Sequence, residues 1–177
     1  MNCKVYPLAP NKQAKMDKFI QENLQSGRIC PSKSPMALLV LFIKKDGSLR
    51  LVQDYRTLNA LTVKNCYPLP LISELVNQLH SVKYFTKLDV RWGYNNVFMK
   101  EGDKWKAAFC MNQGLFKPLV KFFRLTNSPL TFQTMMNDIF QDLIMEGMVC
   151  IYLDDILIFM KGLKEHCHIT QLSQMTL

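Results

Sequence analysis

The stretch Met148-Val-Cys-Ile-Tyr-Leu-Asp-Asp-Ile-Leu-Ile-Phe-Met160 decides the fold. Two adjacent carboxylates, Asp154 and Asp155, stand between the apolar runs Met148–Leu153 and Ile156–Met160. Each run has the length of a buried strand, which predicts a hairpin with the acids at its tip. A two-residue hairpin turn favours Asn-Gly, Asp-Gly or Gly-Gly because it needs positive φ. Asp-Asp is a poor turn former and a good oxygen donor pair for a hard divalent cation. Like charges packed between apolar strands repel and lose hydration, a cost that a bound cation removes. Taken alone, the pair reads equally well as a solvated turn.

A third carboxylate separates the two readings. In Tyr84-Phe-Thr-Lys-Leu-Asp-Val90, the residues Tyr84, Thr86, Leu88 and Val90 alternate with Phe85, Lys87 and Asp89, which predicts a strand ending near Asp89. A strand-end carboxylate and a hairpin-tip pair converge if both belong to one sheet. Three such groups suit two Mg²⁺ ions, which in nucleotidyl transfer activate a 3′-hydroxyl and stabilise the leaving pyrophosphate.

From residue 4 to about His166 the chain carries a series of blocks in one order. They are Lys4-Val-Tyr-Pro-Leu-Ala-Pro10, Ser32-Lys-Ser-Pro-Met36, Lys44-Lys-Asp-Gly-Ser-Leu-Arg-Leu51, Gln53-Asp-Tyr-Arg-Thr-Leu-Asn59 and Tyr67-Pro-Leu-Pro70. Tyr84 to Tyr94, Leu125-Thr-Asn-Ser-Pro129 and Tyr152-Leu-Asp-Asp-Ile-Leu-Ile158 complete the series. The set resembles the fingers and palm of a reverse transcriptase from a fungal gypsy-type LTR retrotransposon Pol polyprotein. The resemblance implies an α+β, right-hand polymerase fold with an antiparallel palm sheet backed by helices and no thumb. It implies a basic fingers-like region over residues 1–66 and a palm-like region over 67–165, with fingers segments interleaved at roughly 95–125. Residues 166–177 read as an atypical tail.

Composition agrees with a polyanionic partner. The 177 residues are 49% hydrophobic, enough for a sizeable core, and the net charge is +8. Residues 1–50 alone hold a net +6, against +2 for the remainder. A basic N-terminal region suits nucleic acid, although basic faces are often only solvated. The six cysteines (Cys3, Cys30, Cys66, Cys110, Cys150, Cys167) show no CxxC spacing, which predicts reduced thiols in an intracellular protein; cytoplasm and nucleus are not distinguished. His166-Cys-His168 is no metal cluster, because adjacent residues rarely converge on one ion. No apolar stretch is long enough to cross a bilayer.

Local pattern supplies the other elements. A helix is expected from about Asn11 to Ser26, with Asn11 as N-cap, Met16, Phe19, Ile20 and Leu24 as its apolar stripe, and Gly27 as its stop. Strands near Leu38–Lys44 and Leu49–Gln53 flank a Lys-Asp-Gly turn. Ile72, Leu75, Val76 and Leu79 mark a short helix. Asn127-Ser-Pro129 opens the clearest helix, with an N-cap and an N1 proline; its stripe is Phe132, Met135, Met136, Ile139, Phe140, Leu143 and Ile144, and Gly147 ends it.

The resemblance assigns roles residue by residue. Asp89, Asp154 and Asp155 are the catalytic and metal-binding set for two Mg²⁺ ions, with Mn²⁺ as a substitute, and the Val90 carbonyl adds to one coordination sphere. Tyr94 matches the aromatic that excludes a 2′-hydroxyl and so selects dNTPs; otherwise it reads as a core aromatic. Lys44 or Lys45, with Arg50, corresponds to the grip on the triphosphate, where without the resemblance a solvated turn is the simpler reading. Asp54 and Arg56 are either a structural ion pair or template contacts, and Tyr152 and Leu153 lie under the primer terminus. The implied partners are an RNA template, a DNA primer, their hybrid, dNTPs and the remainder of Pol, with no membrane.

Several positions depart from the family pattern. Arg124 stands where a glycine is expected. Arginine is expected at Cys30, Cys66, Cys110 and Cys167, and glutamate at Lys117 and Lys164. All these changes fit cytosine deamination of a decaying element. The primer grip, thumb and RNase H are expected to lie outside this chain, and positioning supplies much of a polymerase's rate. A catalytically dead nucleic-acid-binding remnant is therefore the alternative reading.

Overall fold

The computed structural model describes residues 7–45 and 47–176, with the backbone alone at Lys45. Cys3, residues 4–6 of the first block, the turn residue Asp46 and Leu177 lie outside the described residues. In chain order the elements are α1 (Pro10–Gln25), β1 (Ile29–Pro31), β2 (Val40–Lys45), β3 (Ser48–Gln53), α2 (Arg56–Leu61), α3 (Ile72–Gln78) and β4 (Tyr84–Asp89). Next come β5 (Phe109–Met111), β6 (Gly114–Pro118), α4 (Ser128–Ile139), α5 (Gln141–Met145), β7 (Val149–Tyr152), β8 (Asp155–Met160) and α6 (Leu163–Thr176). Short 3₁₀ turns cover Gly93–Asn96 and Glu101–Ala107. The chain divides into two compact units, one running to Val63 and adding Asn95–Thr126, the other made of Lys64–Tyr94 and Asn127–Leu177.

In the first unit, β1, β6 and β5 form one antiparallel sheet in that order and β2 pairs with β3 as a hairpin. Their core is Met16 and Ile20 from α1 against Ile29, Phe109, Met111, Phe116 and Phe122. The hairpin contributes Val40, Phe42 and Leu51 to that core, all on one of its faces. The first helix begins one residue earlier than its sequence suggests: Ala9 is the cap and Pro10 occupies the first turn, so Asn11 is not the N-cap. Proline suits that position because its missing N–H would have no helical partner there.

The second unit is built on the sheet β4-β8-β7, antiparallel throughout. Val149, Ile151, Ile156 and Ile158 share one buried face of it, where α4 and α6 pack. On α4, Phe132, Gln133 and Met136 are buried. Asn127 does not cap that helix with its side chain; its Oδ1 instead accepts the backbone N–H of Asn65 at 3.0 Å. Nor does the helix run unbroken to Gly147. It breaks at Phe140, whose φ of −104° and ψ of 18° leave the helical region while its ring stays buried. Ile139, expected in the stripe, is the last residue of α4 and is exposed. The segment expected to be an atypical tail continues α6 through Thr176, with His166, Ile169 and Ser173 buried and the Thr86 hydroxyl 2.8 Å from His166 Nε2.

Candidate active site

Strand register gathers the acids. On β4 and β8, Asp89 lies directly opposite Asp155, and Tyr152 of β7 is the other neighbour of Asp155. Side chains alternate along each strand, so Lys87, Asp89, Asp155 and Tyr152 share one face, and the helices cover the other. Like charges directly opposite one another destabilise a sheet. That pairing is tolerated here because Asp89 and Asp155 are exposed and because Lys87 Nζ sits 3.0 Å from Asp155 Oδ2. The contact with Asp155 raises the Lys87 pKa, and Asp89 and Asp154 add to the same field.

The hairpin tip differs from the expected Asp-Asp turn. Leu153 and Asp154 are the two turn residues, and Asp155 already belongs to β8. Leu153 has φ +56°, a conformation usual for glycine and worth about 1–2 kcal/mol of strain in an L-residue. Asp154 is held from both ends: its carbonyl accepts the N–H of Val90 at 3.2 Å, and its Oδ1 accepts the Tyr94 hydroxyl at 3.3 Å. Burial, reinforced by the Asp154 charge and hydrogen bond, pushes the Tyr94 phenol up to about 12. The Val90 carbonyl accepts the Gly93 N–H at 3.3 Å, which leaves one lone pair outward.

Tyr94 is placed by a close approach. Its ring meets the Phe132 ring edge-on at 5.5 Å between centroids, and a Cβ on neighbouring Gly93 would come within 2.6 Å of Phe132. Glycine is required there because Phe132 is fully buried and has nowhere to retreat.

The remaining sequence-assigned residues lie in the first unit. Lys44 is opposite Leu49 and Arg50 is opposite Ile43, so the two cations project from opposite faces of the β2–β3 hairpin. The structure therefore does not bring Lys44 and Arg50 together; the backbone of Lys45 is opposite Ser48. Asp54 and Arg56 bind each other, with Arg56 Nε 2.9 Å from Oδ1 and Nη2 2.7 Å from Oδ2. These bonds hold the Asp54 carboxyl down to about 2. Both residues line a cavity of about 400 Å³ with Leu41, Ile43, Asn59 and Arg124. Arg124 has φ +79°, so this non-glycine residue occupies a glycine conformation. Its carbonyl accepts Asn59 Nδ2 at 2.8 Å.

Three features escape a reading of the sequence: Lys87 as counter-ion, Gly93 beneath Phe132, and Gln133. Gln133 is 0% exposed and its Oε1 accepts the N–H of Leu153 at 2.6 Å. The only sequence signal for it was an uncharged polar residue three positions before Met136, on the buried side of the helix.

The residues present fit a divalent metal by donor chemistry. Three carboxylates supply only hard oxygen donors on the exposed side of the sheet, and the Lys87 ammonium stands in for a cation at Asp155. Among the described residues no group of three or more Asp, Glu, His or Cys side chains is placed so that it could hold a metal ion, so the three acids offer the donor chemistry of a hard-cation site without its convergent geometry.

The family model for reverse transcriptase (RNA-dependent DNA polymerase) matches residues 43–177. The chain belongs to the reverse transcriptase family. The Transposon Tf2-3 polyprotein of Schizosaccharomyces pombe is 40% identical over 162 residues, 91% of this chain. The Tf2-7 polyprotein of the same yeast has the same identity and coverage. These similarities set the chain beside transposon polyproteins within the reverse transcriptase family. It spans about 12% of the length of those polyproteins. A foamy viral protease–reverse transcriptase, solved in complex with RNA/DNA hybrid, superposes with TM-score 0.86 at 20% identity, over 99% of this chain and 23% of that one. A second foamy viral structure, with ds DNA, gives TM-score 0.78 at 22% identity, over 99% of this chain and 30% of that one. The fold is accordingly α+β, of the fingers-and-palm kind. No helix among the described residues is long and apolar enough to cross a membrane, and the described cysteines are free thiols.

Proposed function

We propose that this chain is the fingers and palm of an RNA-directed DNA polymerase, adding dNTPs to a primer 3′-hydroxyl on an RNA template. In this reading the unit of α1, β1–β3, α2, β5 and β6 corresponds to the fingers, and the unit holding β4, β7 and β8 to the palm. The observation that carries it is the register of Asp89 opposite Asp155, with Asp154 in the adjoining turn under the Tyr94 hydroxyl. Asp89, Asp154 and Asp155 would hold the divalent metal, Mg²⁺ or in its place Mn²⁺, and the Val90 carbonyl has a lone pair to offer. When bound, such ions lower the pKa of an attacking hydroxyl and neutralise charge on the leaving phosphates. The chain's own residues orient: Tyr94 packs edge-on against Phe132 and would meet the sugar with its ring, while its hydroxyl keeps Asp154 in place. Lys87 pairs with Asp155 and would compete with a cation for that carboxylate. Arg50, on the hairpin face shared with Leu41 and Ile43, suits triphosphate oxygens; Lys44 projects from the other face.

Primer extension on a homopolymeric RNA template with Mg²⁺ tests the proposal, using the chain both alone and within its polyprotein. Extension should appear at least in the polyprotein and should fall by three orders of magnitude or more in Asp154→Ala. A folded polyprotein that binds no Mg²⁺ and extends no primer overturns it.

A second reading, nucleic-acid binding without turnover, draws on Arg124. A large cation at φ +79° lines the first unit's cavity where the family pattern has glycine. Hybrid binding that Asp89→Ala leaves intact, with no extension in any context, would favour this reading.

A further inference from the structure

The hairpin tip carries a conformation that its own sequence disfavours. Leu153 is a branched, non-glycine residue at φ +56°, in the position where a tight hairpin ordinarily takes glycine. Such strain persists only when the surroundings over-determine it. Gln133 anchors the backbone on the entry side of that turn. Its Oε1 accepts the Leu153 N–H at 2.6 Å, and its Nε2 donates to the Ile151 carbonyl at 3.1 Å, so one amide bridges both flanks of Tyr152. The remaining Nε2 proton goes to Asn137 Oδ1 at 2.9 Å, and Asn137 Nδ2 donates in turn to the Tyr67 hydroxyl at 2.8 Å. The amide can sit only one way round, because Leu153 offers a proton and Ile151 a lone pair. Rotation about the Leu153 N–Cα bond leaves its N–H in place, so what Gln133 fixes is the Tyr152–Leu153 peptide from which the strained turn departs. Movement of that peptide would swing the one that joins Leu153 to Asp154, and with it the carbonyl bonded to Val90 and the carboxylate bonded to Tyr94.

We infer that the chain Tyr67–Asn137–Gln133 is a positioning device, which fixes the Tyr152–Leu153 peptide at the entry to the turn and thereby sets the place of Asp154. Gln133 touches no substrate; it acts through the turn backbone. The inference rests on the reading of Asp154 as a metal-holding carboxylate, and it adds a control point remote from the acids. Tyr67, in the Tyr-Pro-Leu-Pro segment, is the half-exposed end of the chain. Whatever displaces that ring loosens Asn137 and, through Gln133, the catalytic turn.

The test compares wild type with Gln133→Met, Tyr67→Phe, Leu153→Gly and Gln133→Met/Leu153→Gly. Two readouts are taken: hydrogen exchange of the Leu153 amide, and Mn²⁺ affinity from the resonance signal of free Mn²⁺. Gln133→Met should speed Leu153 exchange and weaken Mn²⁺ binding, each about tenfold, as expected for losing a buried hydrogen-bond partner. Tyr67→Phe should do the same about threefold while keeping the ring. Adding Leu153→Gly should return Mn²⁺ affinity towards wild type, because glycine adopts this φ unaided, while the exchange stays fast. A generally destabilised protein would show neither the rescue nor an effect confined to Leu153. Unchanged Leu153 exchange in both Gln133→Met and Tyr67→Phe overturns the proposal. If Gln133→Met fails to fold, Tyr67→Phe decides by the same two readouts. If wild type binds no Mn²⁺, the metal reading of Asp154 fails, and Leu153 exchange alone still decides whether the clamp exists.

Discussion

Arg124 and Lys87 are the two residues at which this chain's chemistry is most open to change. Arg124 takes φ +79° and lines the cavity that also holds Asp54 and Arg56. Glycine would relieve about 1–2 kcal/mol of left-handed strain. Against that, glycine's greater freedom in the unfolded chain costs about 0.5–1 kcal/mol. Arg124→Gly should therefore raise the melting temperature slightly, by up to about 2–4 °C. A fall in melting temperature would mean that the arginine side chain contributes more than its backbone costs. Lys87 matters electrostatically. Its ammonium occupies an oxygen of Asp155 and feels the other two acids. Lys87→Met should strengthen Mn²⁺ binding several-fold at low ionic strength, and the gain should shrink in salt because the pair is exposed. Equal affinities for the two proteins would show that the ion pair does not compete with metal.

Elements are held in place here by a few tight approaches rather than by strong local propensity. The turn after β4 brings Gly93 so near Phe132 that a methyl group would stand 2.6 Å from the ring. Gly93→Ala should overpack this point and cost about 1–3 kcal/mol, read from chemical denaturation. It should also shift Tyr94, whose ring packs edge-on against Phe132, and so reduce extension activity beyond what stability explains. An alanine variant with wild-type stability would mean that α4 can slide to make room. The break at Phe140 belongs to the same scale. Apolar spacing alone runs through it, yet the backbone departs from helix there; Phe140 is buried and Ile139, just before it, is exposed.

Charge is the property that operates over the whole molecule. With a net +8, of which residues 1–50 hold +6, binding to RNA–DNA hybrid should weaken steeply as salt rises. A plot of log affinity against log salt should have a slope of several units, about 0.9 for each phosphate neutralised on a B-form duplex. A flat salt response would argue against a phosphate-tracking surface. The two units differ in how they reach compactness. The first closes an aromatic and aliphatic core over α1, and the second stacks α4 and α6 on one face of β4-β8-β7, leaving the acids on the other.

Much of this was legible in the chain itself. Alternation in Tyr84–Asp89 and the two apolar runs about Asp154 and Asp155 located the strands, because strand periodicity is a local property of the backbone. Gly27, Gly147 and the Phe132–Met136 spacing likewise marked helix ends and a buried stripe, whereas the start of α1 was misplaced by a residue. The blocks about Asp89, Tyr94 and Asp155 were enough to suggest the family. What needed the tertiary structure was register and reach. That Asp89 faces Asp155, that Lys44 and Arg50 leave opposite faces of a hairpin, and that Lys87 pairs with Asp155 depend on which residues pair across strands. Leu153 at φ +56°, held by Gln133 from twenty residues away in the chain, depends on a helix packing beneath a turn. Local sequence sets the propensity of each segment, whereas a strained conformation survives only through contacts between segments, and those exist only once the chain has folded.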